Sequence, residues 1–152
     1  MVHRFIYSNS SDRVGDLDII EEFLHGWCFI LQWILLKLLP GSEPYEIFET
    51  NGEFWNDHQI IKFKGFYIDI RGIFTEKELL NEHRNKHVNT VYKYYKRRPI
   101  DNSKLEIDCY LAKSDYNTDD INTNELPYKC AEYAAEVILN DPVMKFLMSM
   151  DE

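Results

Sequence analysis

The sequence predicts an α+β domain in which a buried, cysteine-bearing helix near the N-terminus packs on a small antiparallel sheet, with further helices in the C-terminal part. Two observations lead to this class. Residues 27–39 are almost entirely apolar, and residues 58–71 have the pattern of a tight hairpin. A helix that is apolar on all sides needs a sheet on one side and other helices around it, so the two stretches are expected to pack together.

The apolar stretch lies between two helix breakers, Gly26 before it and Pro40-Gly41 after it. Lys37 is its single charged residue, which is typical of a helix buried on most of its sides. Cys28 falls in the first turn of the predicted helix. The backbone N–H groups at a helix N-terminus favour a thiolate over a thiol, so Cys28 is a candidate nucleophile. The alternative is that Cys28 is a small apolar core residue.

The hairpin pattern consists of residues 58–63 and 66–71, which flank the turn sequence Lys64-Gly65. Side chains of a strand alternate between its two faces. One face therefore carries Ile61, Phe63, Phe66, Ile68 and Ile70. The other face carries His58, Ile60, Lys62, Tyr67, Asp69 and Arg71. The apolar face needs a cover, and a helix over residues 75–96 or the C-terminal helices could supply it.

His58 and Asp69 are neighbours in either of two hairpin registers. A turn at Lys64-Gly65 makes Asp69 the diagonal neighbour of His58, at ~7–8 Å between backbones, whereas a turn at Phe63-Lys64 places the two residues opposite each other. Both registers allow a hydrogen bond between the imidazole and the carboxylate. The structural alternative is that both residues belong to the solvated face of an amphipathic hairpin.

Local signals predict the remaining elements in chain order, and neither a repeat nor a linker divides the single domain 1–152. Further strands are predicted at residues 4–7, at 45–50 before the turn sequence Asn51-Gly52, and at 105–111. Further helices are predicted from a cap at Asp16 to about Leu24, from the capping box Thr75–Glu78 to about Lys96, from Pro127 to about Leu139, and from Asp141-Pro142 onward.

The composition limits the kinds of site that the chain can form. Its three cysteines, Cys28, Cys109 and Cys130, are widely spaced and include no Cys-x-x-Cys pair. This spacing supports neither a disulfide framework nor a zinc site, and it favours a reducing cytoplasm. No export signal is visible after Met1, and no cofactor motif is apparent. His83 and His87 have helical i, i+4 spacing but lack a third ligand, so no metal is expected.

Charge and length also argue against two classes of partner. The net charge of −9 opposes binding to nucleic acid, although residues 92–98 form a local basic and aromatic run. The apolar stretch 27–39 is well short of the ~20 residues that a membrane-spanning helix needs. Neither nucleic acid nor a membrane is therefore expected as the principal partner.

A thiol at a helix start, an imidazole on one strand and a carboxylate on the next form a candidate triad. In such a triad the thiolate attacks a carbonyl carbon, the imidazole accepts and returns the proton, and the carboxylate orients the imidazole. The order here is Cys28, His58, Asp69. His25 is an alternative base close to Cys28, although it could instead cap the preceding helix.

Residues 26–72 resemble the transglutaminase-like and arylamine N-acetyltransferase-like branch of the papain-like fold. The resemblance rests on Gly26-Trp27-Cys28 at a helix start and on the run from His58 through the glycine turn to Asp69. It implies a papain-like core with Cys28 as nucleophile, His58 as base and Asp69 as its orienting partner. Papain has a glutamine shortly before its cysteine for the oxyanion hole, whereas this chain has glutamates there.

Two functions follow from these patterns. The first is a cysteine-dependent hydrolase or acyl transferase acting on an amide or a (thio)ester, without a cofactor, whose site Trp27, Trp55 and Tyr67 could line. The second is a non-catalytic interaction or inhibitor protein on the same scaffold. The Ile, Asn, Lys and Tyr usage is typical of an AT-rich genome and would suit a phage or mobile element.

Overall fold

A six-stranded antiparallel sheet forms the centre of the computed structural model, which describes residues 2–7, 13–14, 17–50, 54–82, 108–113 and 121–150. The strands are β1 (His3–Arg4), β2 (Arg13–Val14), β3 (Leu17–Asp18), β4 (Glu43–Thr50), β5 (Phe54–Phe63), β6 (Phe66–Ile68), β7 (Gly72–Phe74) and β8 (Asp108–Lys113). Their order in the sheet is β1-β7-β6-β5-β4-β8, and β2 and β3 pair separately.

The helices that accompany the sheet confirm the predicted α+β class with an antiparallel sheet. They are α1 (Ile19–His25), α2 (Cys28–Leu38), α3 (the described residues 76–82), α4 (Leu126–Asn140) and α5 (Pro142–Ser149). Helix α2 packs against β5 on one side and against α4 on the other. None of the helices in the described part of the chain is long and apolar enough to cross a membrane.

The hairpin β5–β6 has the register that a Lys64-Gly65 turn produces. Phe63 pairs with Phe66, and Lys64 and Gly65 have φ angles of 52° and 84°. Two consecutive positive φ values are the signature of a type I′ turn, whose twist matches that of the strands. The second strand ends at Ile68 rather than at the predicted Arg71, because the chain turns between β6 and β7.

The two faces of the hairpin bury into two separate apolar clusters, as their alternation predicts. Ile61, Phe63, Ile68 and Ile70 join a cluster with side chains of α1, α2, α4 and α5. Ile60 and Tyr67 join a second cluster that includes Leu79 of α3. The C-terminal helices therefore help to cover the predicted apolar face, whereas the helix after Thr75 packs on the opposite face.

The structure corrects three expected elements. The first helix begins at Ile19, and Leu17 instead pairs with Val14 in a short hairpin, while Asp16 lies outside the described residues. The N-terminal strand is His3–Arg4, not 4–7. Helix α2 is not buried all round: Phe29 is 47% exposed and Leu38 48%.

Three predicted helix starts are confirmed. Thr75 and Glu78 form a reciprocal capping box, Pro127 lies in the first turn of α4, and the Asp141 carboxylate caps α5. The strand predicted at 45–50 is confirmed within β4, and the one predicted at 105–111 is observed from Asp108. The turn Asn51-Gly52, residues 105–107 and the predicted helical residues beyond 82 lie outside the described residues.

Candidate active site

Cys28 is the first residue of α2 and is partly exposed. Its sulfur accepts a hydrogen bond from the backbone N–H of Gln59 in β5, with a nitrogen–sulfur distance of 3.4 Å. Trp27, the N-cap residue, makes no side-chain hydrogen bond to the first turn of the helix. A sulfur at the positive end of a helix that also accepts from an N–H is in a setting that favours the thiolate.

His58 lies on β5 beside an irregularity in the sheet. Ile47 pairs with His58 and Phe48 with Asn56, so Asp57 is an extra residue in β5. Such a β-bulge re-aims neighbouring side chains and is over-represented next to active sites. The His58 side chain is only 1% exposed, and its Nε2 lies 3.1 Å from Oδ2 of Asp69.

Asp69 immediately follows β6, where the chain leaves the hairpin. Its backbone N–H donates to the carbonyl of Gly72, and its carboxylate accepts from the backbone N–H of Arg71 at 2.7 Å. These two bonds close a tight turn that holds the carboxylate in place. The predicted neighbourhood of His58 and Asp69 is thus present, although it arises from a turn rather than from a continued strand.

Arg71 is the principal counter-ion of Asp69. Its Nε lies 3.0 Å from Oδ2 and its Nη2 lies 2.6 Å from the same oxygen, while Nε is also 3.3 Å from Oδ1. Arg71 is 8% exposed, and its guanidinium carbon lies 5.2 Å from the ring centre of Phe74. The sequence pattern placed Arg71 on the His58 face, but spacing alone did not assign this ion pair.

These contacts settle the charge of Asp69. Burial alone would raise the pKa of this carboxyl, but the Arg71 charge and the hydrogen bonds from His58 and Arg71 outweigh burial and hold the pKa well below its usual range. An ionised carboxylate can only accept hydrogen bonds. The Nε2 of His58 must therefore carry the proton, and in the neutral ring Nδ1 is the basic nitrogen.

Cys28, His58 and Asp69 all line one small cavity between α2 and the sheet. Its volume is about 10 Å³, which is space for about one water molecule. The other lining residues are Phe23, Leu31, Gln32, Leu35, Gln59, Ile60, Ile61, Ile68 and Ile70. The cavity therefore brings together the three residues of the predicted triad, and Cys28 is also partly exposed to solvent.

Two of the aromatic residues predicted to line the site lie elsewhere. Trp27 is partly exposed and packs edge-on against Phe23, and Tyr67 is buried in the second cluster against Tyr45. Neither is among the residues that line the cavity: Trp27 precedes α2, and Tyr67, which side-chain alternation places on the same face as His58, packs in the second cluster. The side chain of Trp55 lies outside the described part of the structure.

Gln32 is a site residue that the sequence interpretation missed. It is 5% exposed, lies one turn after Cys28, and its Nε2 donates to the backbone carbonyls of Tyr45 and Ile60. A side chain that bonds two strands from a helix fixes the helix against the sheet and hence the position of the sulfur. The available signal was a neutral polar residue inside an otherwise apolar helix.

The other histidines do not add to this site in the described part of the chain. His3 bonds to the Asp141 carboxylate at 2.9 Å, away from the cavity. The side chain of His25, and both His83 and His87, lie outside the described residues. Among the residues that the structure describes, no group of three acidic, histidine or cysteine side chains could hold a metal ion.

Comparison with known proteins identifies no relative: no protein-family model, no curated protein and no solved structure matches the chain.

Proposed function

We propose that the protein is a cysteine-dependent hydrolase or acyl transferase that acts on an amide or a (thio)ester of a protein or small molecule. The observation that supports this most directly is the shared cavity, in which the Cys28 thiol lies with a buried imidazole–carboxylate pair. The resemblance to the papain-like fold, in its transglutaminase-like branch, assigns the same three roles. The spacing of the cysteines suits a reducing compartment, which would keep Cys28 as a thiol.

In this proposal the chemistry proceeds through a thioester. Nδ1 of His58 takes the proton of the Cys28 thiol, and the sulfur attacks the carbonyl carbon to form a tetrahedral oxyanion. The carbon–leaving group bond then breaks, and the imidazolium returns its proton to the leaving amine, alcohol or thiol. Water or a second nucleophile, deprotonated by the same imidazole, attacks the thioester and releases the free thiol. Asp69 keeps Nε2 protonated throughout.

Backbone N–H groups are the candidate donors for the oxyanion. The first turn of α2 begins at Cys28, and the Gln59 N–H already lies 3.4 Å from the sulfur. Donors of this kind, fixed before the reaction, stabilise developing negative charge without reorganising. They would replace the papain glutamine, since Glu21 and Glu22 stand in that neighbourhood of the sequence.

The proposal is tested with an activated ester such as p-nitrophenyl acetate. We expect a burst of nitrophenol and an acetyl adduct on the tryptic peptide containing Cys28, detected by mass spectrometry. Cys28→Ser should abolish both signals, whereas Cys130→Ala, which removes a buried thiol of α4, should retain them. An adduct that survives in Cys28→Ser, or no adduct in folded wild-type protein, would exclude this function.

The second candidate is a non-catalytic interaction or inhibitor protein, and the small cavity favours it. His58 and Asp69 are 1% and 3% exposed, and about 10 Å³ cannot admit an acyl group. In this case the His58–Asp69–Arg71 contacts serve only to fix the sheet. The ester experiment separates the two candidates, because an inert scaffold forms no acetyl adduct on Cys28 although the protein is folded.

A further inference from the structure

The Asp69 carboxylate is shared between two partners on the same oxygen atom. Oδ2 accepts from His58 Nε2 at 3.1 Å and from Arg71 Nη2 at 2.6 Å. The imidazole and the guanidinium are therefore within the ~4–6 Å over which one charge alters the protonation of another. All three side chains are less than a tenth exposed, so solvent screens these charges weakly.

We propose that Arg71 is a positioning residue for the candidate triad: it fixes the Asp69 carboxylate toward His58 and offsets its charge, so that His58 stays a neutral base toward Cys28. This inference rests on the proposed function and concerns the same site. Arg71 is a positioning residue rather than a catalytic one, because its guanidinium lies against the Asp69 carboxylate and the Phe74 ring.

The positioning part follows from the geometry of the turn. Arg71 contributes both its backbone N–H and its guanidinium to Asp69, so a single residue constrains both carboxylate oxygens. The turn is itself held from outside: Phe5 N–H donates to the Arg71 carbonyl, and the Tyr7 hydroxyl donates to the Ile70 carbonyl. A rotation of the carboxylate away from His58 would break its bonds to the backbone N–H and to the guanidinium of Arg71 together.

The electrostatic part follows from the charges that face the imidazole. Asp69 bonds to the ring from the turn after β6 and Arg71 bonds to the same carboxylate oxygen, while Cys28 of α2 and Gln59 of β5 line the same cavity as His58. A lone buried Asp69 would strongly favour the imidazolium, which has no lone pair with which to take the thiol proton. With Arg71 beside Asp69, the two opposite charges nearly cancel at the His58 ring. The ring can therefore both accept and return a proton.

The inference is tested by NMR titration of the His58 ring, assigned with His58→Ala. Arg71→Gln removes the charge, and we expect the pKa of His58 to rise by about one unit or more. Arg71→Lys restores the charge without the planar fork, so it should return the pKa of His58 toward the wild-type value. Activity on the ester should fall in both variants, because each loosens the carboxylate.

Arg71→Gln leaves Asp69 as an unpaired buried charge and can fail to fold, so the double variant Asp69→Asn/Arg71→Gln provides a second comparison. Against Asp69→Asn alone, in which Arg71 faces the ring without its counter-ion, the double variant should raise the pKa of His58 by about one unit or more. An unchanged His58 titration in either comparison overturns the inference. The ester experiment gives a separate result. If Cys28 does not react with the ester but the pKa of His58 changes as expected, the proposed function is refuted while the effect of Arg71 on His58 and Asp69 stands.

Discussion

The backbone N–H of Gln59 donates a hydrogen bond to the sulfur of Cys28 across 3.4 Å. This bond joins the start of α2 to the strand that carries His58, so the position of the sulfur depends on how the helix packs on the sheet. Gln32 reinforces the same contact by bonding the carbonyls of Tyr45 and Ile60. Cys28 is therefore held between a helix and a strand, which distinguishes its surroundings from those of Cys130 in α4.

The first prediction concerns thiol reactivity. Cys28 is partly exposed and lies at a helix N-terminus, whereas Cys130 is 4% exposed and burial raises the pKa of its thiol. Iodoacetamide at mildly acidic pH should therefore label Cys28 well before Cys130, as peptide mass spectrometry would measure. The control is Cys130→Ala, which should label at the wild-type rate. Labelling of Cys130 ahead of Cys28 would contradict the nucleophile assignment.

The second prediction separates His58 from another histidine of the same protein. Replacing a general base lowers the rate of acyl transfer by about 10²–10⁴-fold, so His58→Ala should reduce ester turnover by that factor and slow the alkylation of Cys28. His3→Ala is the matched control, because it removes a bond to Asp141 on another part of the fold. Equal losses of turnover in the two variants would mean that His58 acts only through stability.

The third prediction concerns Asp69 and the free energy of unfolding. Asp69→Asn leaves the buried Arg71 guanidinium without its counter-ion, and breaking a buried ion pair in this way costs ~3–5 kcal/mol. Urea unfolding at neutral pH should measure the loss. Glu43→Gln is the control: it removes an exposed pair with Lys113 and should change stability little.

The same carboxylate should make stability depend on pH in acid. Because the folded-state pKa of Asp69 is held below its unfolded value of about 3.9, its contribution is fully present above that pH. The contribution is lost as the pH falls toward the folded-state pKa, since the unfolded chain then binds the proton more readily. Urea unfolding between pH 6 and pH 2 should therefore show a flatter acid decline for Asp69→Asn than for wild type. Identical slopes would contradict the assigned ionisation.

The fourth prediction tests the strand that supports the turn. A Cβ at Gly72 would lie 2.1 Å from the backbone oxygen of His3, so Gly72→Ala must push β1 away from β7. We expect a destabilisation of about 2 kcal/mol or more, the range for overpacking against rigid backbone. Gly26→Ala, where nothing lies within 4 Å of the added atom, is the matched control and should be nearly neutral. Thermal unfolding of the two variants gives the comparison.

Local chemistry was sufficient to predict much of the scaffold. The turn residues Lys64-Gly65 fix the register of β5 and β6, and side-chain alternation then separates the faces of Ile61 and Ile60. Thr75 and Asp141 mark helix starts because their side chains accept hydrogen bonds from backbone N–H groups of the first turn. Each of these features depends on residues within a few positions of one another, so periodicity and turn propensity are enough to predict them.

The sequence by itself determined the helix that begins at Cys28 and the hairpin neighbourhood of His58 and Asp69. Only the tertiary structure decided that Arg71 shares the Asp69 carboxylate, that Gln32 bonds two strands, and that the cavity has space for about one water molecule. The Gln32 bonds and the cavity depend on where α2 packs on the sheet, and the Asp69–Arg71 pair, although the two residues are close in sequence, depends on a turn held by the bond from the Phe5 N–H to the Arg71 carbonyl. Such placement comes from long-range packing among many apolar side chains, and the spacing of a few polar residues does not encode it.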